Sequence, residues 1–301
     1  MEYRSFGATD LSVSVLGFGS SEIGFLGASP EEVDTLLNQA LDDGLNVIDT
    51  AECYMDAEEK IGRAVGHRRS EYALFTKLGH RYAGGPELDD WSPELLRLSI
   101  DNSLRRLRTD RVDLLQVHSC NAEVLRRGEV LEIVQEAKQA GKARYIGYSG
   151  DGEEALEAIQ TGVFDALQTS VNLADQQAID LLLPEAASRN LGVVVKRPVA
   201  NVAWHNGMMP PARRYGRVYW ERLMALRYPF LEPDTGAGFE TALRFTLAQP
   251  GVSTMIVGTM RHGRWRENAA IVARGPLPPA EKDAIRARWR EVATDEWVGQ
   301  T

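Results

Sequence analysis

A chain of 301 residues, 44% of them hydrophobic, has enough length for a sizeable buried core and fits one large α/β domain spanning residues 1–301. Its 43 acidic and 34 basic residues leave a formal net charge of −9, which argues against a nucleic-acid partner held by the global field. Two cysteines, Cys53 and Cys120, make no disulfide framework. Scattered histidines give no metal-ligand spacing, no apolar run reaches membrane length, and the first residues carry no apolar signal core, so the expectation is a cytoplasmic protein without metal or membrane partner.

The opening residues predict a hairpin turning at Gly7 to Asp10, then a strand from Val15 to Ser20. The run Gly17-Phe18-Gly19-Ser20-Ser21-Glu22 at the end of this strand lacks the third glycine of a dinucleotide fingerprint. Ser29, Pro30 and Glu32 form a helix start with a capping box, Val33, Leu36, Leu37, Ala40 and Leu41 follow at helical spacing, and Gly44 stops the helix. Asn46 to Ala51 is a short apolar run holding Asp49, and Ala73 to Gly79 is another holding Lys77. Tyr54 and a short helix lie between them. Ser92-Pro93-Glu94 starts the next helix, and Val112 to His118 is the next strand. A helix from Val124 to Ala140, strands at 143–150 and 165–172, a helix from Gln176 to Asn190, and a strand at 192–199 continue the alternation. The helix Phe239–Gln249, the strand 253–259, the helix Arg264–Arg274 and a further helix Pro279–Val292 complete it. The connection from Ala200 to Gly238 is too long for a simple loop and is rich in aromatic residues, which marks it as functional or as a packed insertion.

Eight strands each followed by a helix predict a parallel sheet closed as a (β/α)8 TIM barrel, with an N-terminal β-hairpin and an extra C-terminal helix. An open doubly wound sheet is the alternative. Strand parity puts Val47 with Asp49, Phe75 with Lys77, and Leu114 with Gln116 and His118. Each inward row is apolar first and polar last, the pattern of a filled barrel with a site at one rim. An acid, a phenol, an amine and an imidazole gathered there suit proton transfer to a carbonyl oxygen. The ammonium lowers the tyrosine pKa, the aspartate keeps the lysine charged, and the histidine orients the carbonyl.

The order DTAxxY, FTK and LLQxH, with a GT…R…EN segment near the C-terminus, resembles the aldo-keto reductase superfamily over nearly the whole chain. The resemblance implies an oxidoreductase that reduces an aldehyde or ketone, sugars included, or runs in reverse. Tyr54 would be the general acid/base, Lys77 and Asp49 would tune it, and His118 would orient the substrate. It implies cofactor contacts from Gly19, Ser20, Ser149, Gln168, Thr259, Arg264 and Asn268, with Arg264 favouring NADPH and NADH as the alternative. Lys196 stands where the family often has a stacking aromatic residue, and with Arg197 it is a candidate for pyrophosphate contact, joined by Arg213 and Arg214. Gly150 stands where the family has an asparagine, which removes one carboxamide contact, and Gly258 stands where it has a lysine, which implies weaker 2′-phosphate binding and dual cofactor use. A regulatory or redox-sensing subunit with little turnover is the competing reading, and a phosphate-binding barrel isomerase or aldolase is a third. Substrate choice is expected to lie in the loops after Ser20 and His118, in 200–238, and near Trp91 and Trp297.

Overall fold

The computed structural model describes residues 1–82, 84–210, 214–231 and 237–300, with the side chains of Arg214 and Tyr215 left out. Two short strands, β1 (Tyr3–Ser5) and β2 (Ser12–Ser14), pair antiparallel as the expected hairpin. Eight parallel strands follow: β3 (Leu16–Gly19), β4 (Val47–Asp49), β5 (Ala73–Leu78), β6 (Val112–His118), β7 (Ala143–Ser149), β8 (Ala166–Ser170), β9 (Gly192–Lys196) and β10 (Thr254–Val257). They pair in chain order, and β10 returns to β3 through Val257 and Phe18, which closes the barrel.

The barrel interior is layered as strand parity demands. Val47, Ala73, Phe75, Leu114, Ala166, Val194 and Ile256 form one apolar cluster inside the ring. Phe6 and Val13 of the hairpin belong to the same cluster, and the Phe6 ring stacks on Phe75 with centroids 5.4 Å apart. The hairpin is therefore the floor of the barrel, and the polar layer is forced to the opposite, C-terminal rim.

Several helix ends follow directly from the sequence. The helix Pro30–Asp42 begins with a complete capping box: the Ser29 hydroxyl accepts from Glu32 N at 3.2 Å, and Ser29 N donates to the Glu32 carboxylate at 2.7 Å. The helix Pro93–Leu107 has a simpler cap, the Ser92 hydroxyl accepting from Leu95 N at 3.3 Å, and Pro279–Val292 is the extra C-terminal helix. Two long helices expected from periodicity are each broken. Val124 to Ala140 is Ala122–Arg127 and Glu129–Gln139, separated by Gly128 in the left-handed region at φ 83°. Gln176 to Asn190 is Gln177–Leu181 and Leu183–Ser188, because Pro184 has no N–H to continue the ladder.

The long connection after β9 contains a helix of its own, Arg214–Leu226, flanked by short 3-10 turns at Ala200–Asn206 and Pro229–Leu231. Tyr219 and Tyr228 are buried, and Trp220 donates to Gly207 O at 2.8 Å, so these aromatics are packing residues. Arg213 and the side chain of Arg214 lie outside the described residues. Among the described residues no helix is long and apolar enough to cross a membrane.

If the hairpin is a structural plug, Phe6→Ala should lower unfolding free energy by about 3–5 kcal/mol, as deletion of a buried aromatic does. Equilibrium denaturation in urea measures it. A loss below about 1 kcal/mol would show that the floor collapses around the cavity without cost.

Candidate active site

Asp49 ends β4 facing inward, and Lys77 reaches it from β5; each is 1% exposed. Lys77 Nζ donates to Asp49 Oδ1 at 2.5 Å and to Thr50 O at 2.8 Å. The other carboxylate oxygen accepts from Gln116 Nε2 at 3.1 Å and Gln168 Nε2 at 2.8 Å. Ser149 Oγ in turn donates to Gln168 Oε1 at 3.0 Å. One aspartate thus ties together the inward rows of β4, β5, β6 and β8, with β7 joined through Ser149.

Tyr54 lies in the turn after β4, where its N–H donates to Ala51 O at 3.1 Å. Lys77 Nζ is 5.2 Å from the centre of the Tyr54 ring. The His118 ring meets Tyr54 edge-on at 5.9 Å, and Phe25 flanks the phenol at 5.7 Å. The four residues Asp49, Tyr54, Lys77 and His118 are therefore gathered at one rim.

The electrostatics amend one expectation. Burial raises the Tyr54 pKa above its ordinary value, and Lys77 opposes that rise without overcoming it. Tyr54 is thus a firmly protonated phenol, suited to hold its proton until negative charge develops on a bound oxygen. Burial alone would depress the Lys77 ammonium, but Asp49 and Tyr54 outweigh it and the pKa is raised. His118 is pushed well below its ordinary value of 6.5, first by burial, then by Lys77, His80, Lys196 and Arg197. Its Nδ1 lies 3.6 Å from Cys53 Sγ, and a thiol donating there leaves the ring proton on Nε2.

The residues expected to hold a cofactor fall into two groups. Ser149 and Gln168 are inside the Asp49 network, with both ends of the Gln168 amide engaged. Ser20, after Gly19 at the end of β3, donates its N–H to Asp49 O at 3.0 Å, while its enclosed hydroxyl has no partner. Asn268 is likewise buried with Oδ1 unpartnered. Thr259 Oγ1 accepts from Arg261 N at 3.1 Å, and Arg264 donates to Glu267 at 2.9 Å. Enclosed polar atoms with unmet hydrogen bonds, on Ser20 just after β3 and on Asn268 in the helix Arg264–Val272 that follows β10, fit a polar ligand such as a dinucleotide.

Lys196 and Arg197 are engaged elsewhere. The Lys196 ammonium pairs with Asp151 at 2.9 Å, and Arg197 donates to Ser170 Oγ at 3.2 Å and to Gln300 O. A phosphate contact from either would have to displace those partners. Gly150 has a steric reason, since a Cβ there would collide with the Tyr148 ring. Cys53 and Cys120 are unbridged thiols, each pushed up to about 12 chiefly by burial, which leaves no reactive thiolate near neutral pH. Gln116 was not singled out from the sequence as a site residue, although it shares the inward face of His118. At the mouth, His80 stands between His118 and Trp91, 5.2 and 5.0 Å from their rings, with Asp90 Oδ2 3.4 Å from its Nδ1. Trp297 instead packs on Trp289 and beneath Arg222.

The model of the aldo/keto reductase family matches residues 15–290 of this sequence. The chain belongs to that family. It is 29% identical to the uncharacterized oxidoreductase YqkF of Bacillus subtilis over 97% of both chains. It is 30% identical to L-galactose dehydrogenase of Arabidopsis thaliana over 90% of this chain and 88% of that protein. An aldo-keto reductase from Bacillus halodurans, solved in its holo form, superposes with a TM-score of 0.83 at 27% identity over 99% of each chain. This protein is accordingly an NAD(P)H-dependent oxidoreductase of an enzyme family acting on small carbonyl compounds.

A depressed His118 pKa has a definite sign. The unfolded chain takes up the proton first, so this group's contribution to stability is present above about 6.5 and is lost as pH falls towards its folded value. For turnover, His118 is neutral throughout the physiological range. A profile of kcat/KM for carbonyl reduction should be level from about pH 6 to 8. A limb near 6.5 that disappears in His118→Asn would contradict this assignment.

Proposed function

We propose that this protein reduces an aldehyde or ketone to the alcohol, and catalyses the reverse oxidation, with Tyr54 as general acid/base. The reading rests on one arrangement above all: Asp49 holding Lys77 at 2.5 Å while the Lys77 ammonium lies 5.2 Å from the Tyr54 ring centre. A reduced nicotinamide, when bound, supplies the hydride to the carbonyl carbon. Tyr54 gives its proton to the carbonyl oxygen as the C=O π bond breaks, and the Lys77 cation stabilises the phenolate left behind. His118, neutral, donates one hydrogen bond to the same oxygen and so fixes the carbonyl plane. In oxidation each transfer reverses.

Sugar-derived carbonyls are the substrate class that the mouth supports best. Trp91 offers an apolar face beside the polar edges of His80 and Asp90, a combination that suits a polyhydroxylated ring. The similarity to L-galactose dehydrogenase points the same way. Ser149, Gln168, Thr259, Arg264 and Asn268 are proposed as cofactor contacts. NADPH would require Arg264 and Arg261 to turn from Glu267 to the 2′-phosphate, whereas NADH would not. The two unbridged cysteines fit a reducing, cytoplasmic setting.

Purified protein should consume NADPH or NADH in the presence of a panel of aldoses, aldehydes and ketones. Tyr54→Phe should lower kcat by roughly 10²–10⁴-fold while still binding the dinucleotide. Wild-type turnover retained in Tyr54→Phe would refute Tyr54 as the proton donor. A protein that binds dinucleotide without turnover across the panel would instead support the regulatory reading.

A further inference from the structure

One acid at the same rim takes no part in the reaction above. Glu22 follows β3 by three residues, and its Oε2 is enclosed without any hydrogen-bond partner. Burial raises its carboxyl pKa above the usual 4.5, which marks a group lacking a compensating donor. Its neighbour is Gly258, which follows β10 directly. A Cβ built on Gly258 would collide with Glu22 Oε2 and would lie 2.8 Å from Cδ and 2.9 Å from Gly19 O. Only glycine fits at 258 while Glu22 holds this position, so the acid and the glycine are a matched pair.

The charge around them is balanced. Arg261 and Arg264, the cations of the segment headed by Gly258, both donate to the same oxygen of Glu267, and Arg264 also lies over the Phe239 ring at 4.7 Å. Arg266 is paired with Asp43 at 2.9 Å. An incoming phosphate monoester therefore meets two arginines already shared with Glu267, and a carboxylate at the head of the segment.

We propose that Glu22 is a specificity residue for the dinucleotide: it accepts hydrogen bonds from the unmodified ribose hydroxyls at the adenosine end and opposes a 2′-phosphate there. An ionised carboxylate can only accept, a ribose diol offers two O–H donors, and a phosphate offers added negative charge. The discrimination thus combines an attractive contact to one cofactor with repulsion of the other. It rests on the reading that residues 259–268 take the adenosine end.

The test is equilibrium titration of wild type, Glu22→Gln and Glu22→Ala with NADH and with NADPH at pH 7.5, followed by quenching of tryptophan fluorescence. Melting temperatures check that each variant folds. Both variants should shift the ratio of the two Kd values towards NADPH by about tenfold or more, with most of the change in tighter NADPH binding. Gly258→Ala, which must push the carboxylate aside, should shift the ratio in the same direction and decides the matter if the Glu22 variants do not fold. An unchanged ratio, within about twofold, in the folded variants would overturn the proposal. Arg264→Ala separates the two levels. If it weakens NADPH while the Glu22 and Gly258 variants change nothing, only the role of Glu22 fails. If it alters neither Kd, or if wild type binds neither dinucleotide, the assignment of 259–268 fails and this proposal falls with it.

Discussion

The buried ion pair between Lys77 and Asp49 is the constraint on which the site depends. Two charges that are 1% exposed carry a desolvation cost that their mutual attraction alone does not reliably offset. What completes the pair is the surrounding set of partners. Thr50 O takes a second Lys77 proton, and the two glutamine amides saturate the free side of the carboxylate. The network gives a cation of fixed position beside a buried phenol. It also explains why inward residues of four other strands are polar at the height of Asp49, where a barrel of this size would otherwise be filled with branched apolar side chains.

That height is set from the other end of the molecule. The hairpin seals the floor with Phe6 stacked on Phe75, and the apolar layer above it ends where Asp49, Lys77 and Gln116 begin. Burial then acts differently on each group of the tetrad. It keeps Tyr54 protonated and His118 neutral, while the Asp49 carboxylate holds Lys77 charged. Three side chains with separated protonation states, all from strand ends or the turn after β4, are what proton transfer to a carbonyl oxygen requires. The same low-dielectric surroundings make the unpartnered oxygens of Ser20, Glu22 and Asn268 costly unless something polar meets them.

Much of this was legible in the residue pattern, for physical reasons. Period-two alternation placed Asp49, Lys77 and His118 on inward faces, and the Ser29 capping box and Ser92 cap marked helix starts through local hydrogen bonds. What was hidden depended on contacts distant in sequence or on single-residue breaks. Gly128 and Pro184 split helices whose apolar periodicity runs on through them. The connection after β9 reads as a loop because its helix, Arg214–Leu226, is packed through Tyr219 rather than marked by clear caps. A lysine near a tyrosine suggests a lowered phenol pKa, but burial of the ring outweighs the charge, and burial is a property of the folded chain. The fit of Glu22 to Gly258 joins residues 236 positions apart in sequence and is visible only once β3 and β10 are neighbours.

The most direct test of the central claim is single-turnover transfer of deuterium from nicotinamide labelled at C4 to a carbonyl substrate, compared between wild type and Asp49→Asn with dinucleotide binding measured in the same samples. In wild type the label should arrive at the carbonyl carbon. In the variant, where Lys77 loses its carboxylate, transfer should slow by about 10²-fold or more even though dinucleotide is bound. Transfer at the wild-type rate in Asp49→Asn would mean that the buried ion pair does not govern the proton donor, and the mechanism proposed here would be wrong.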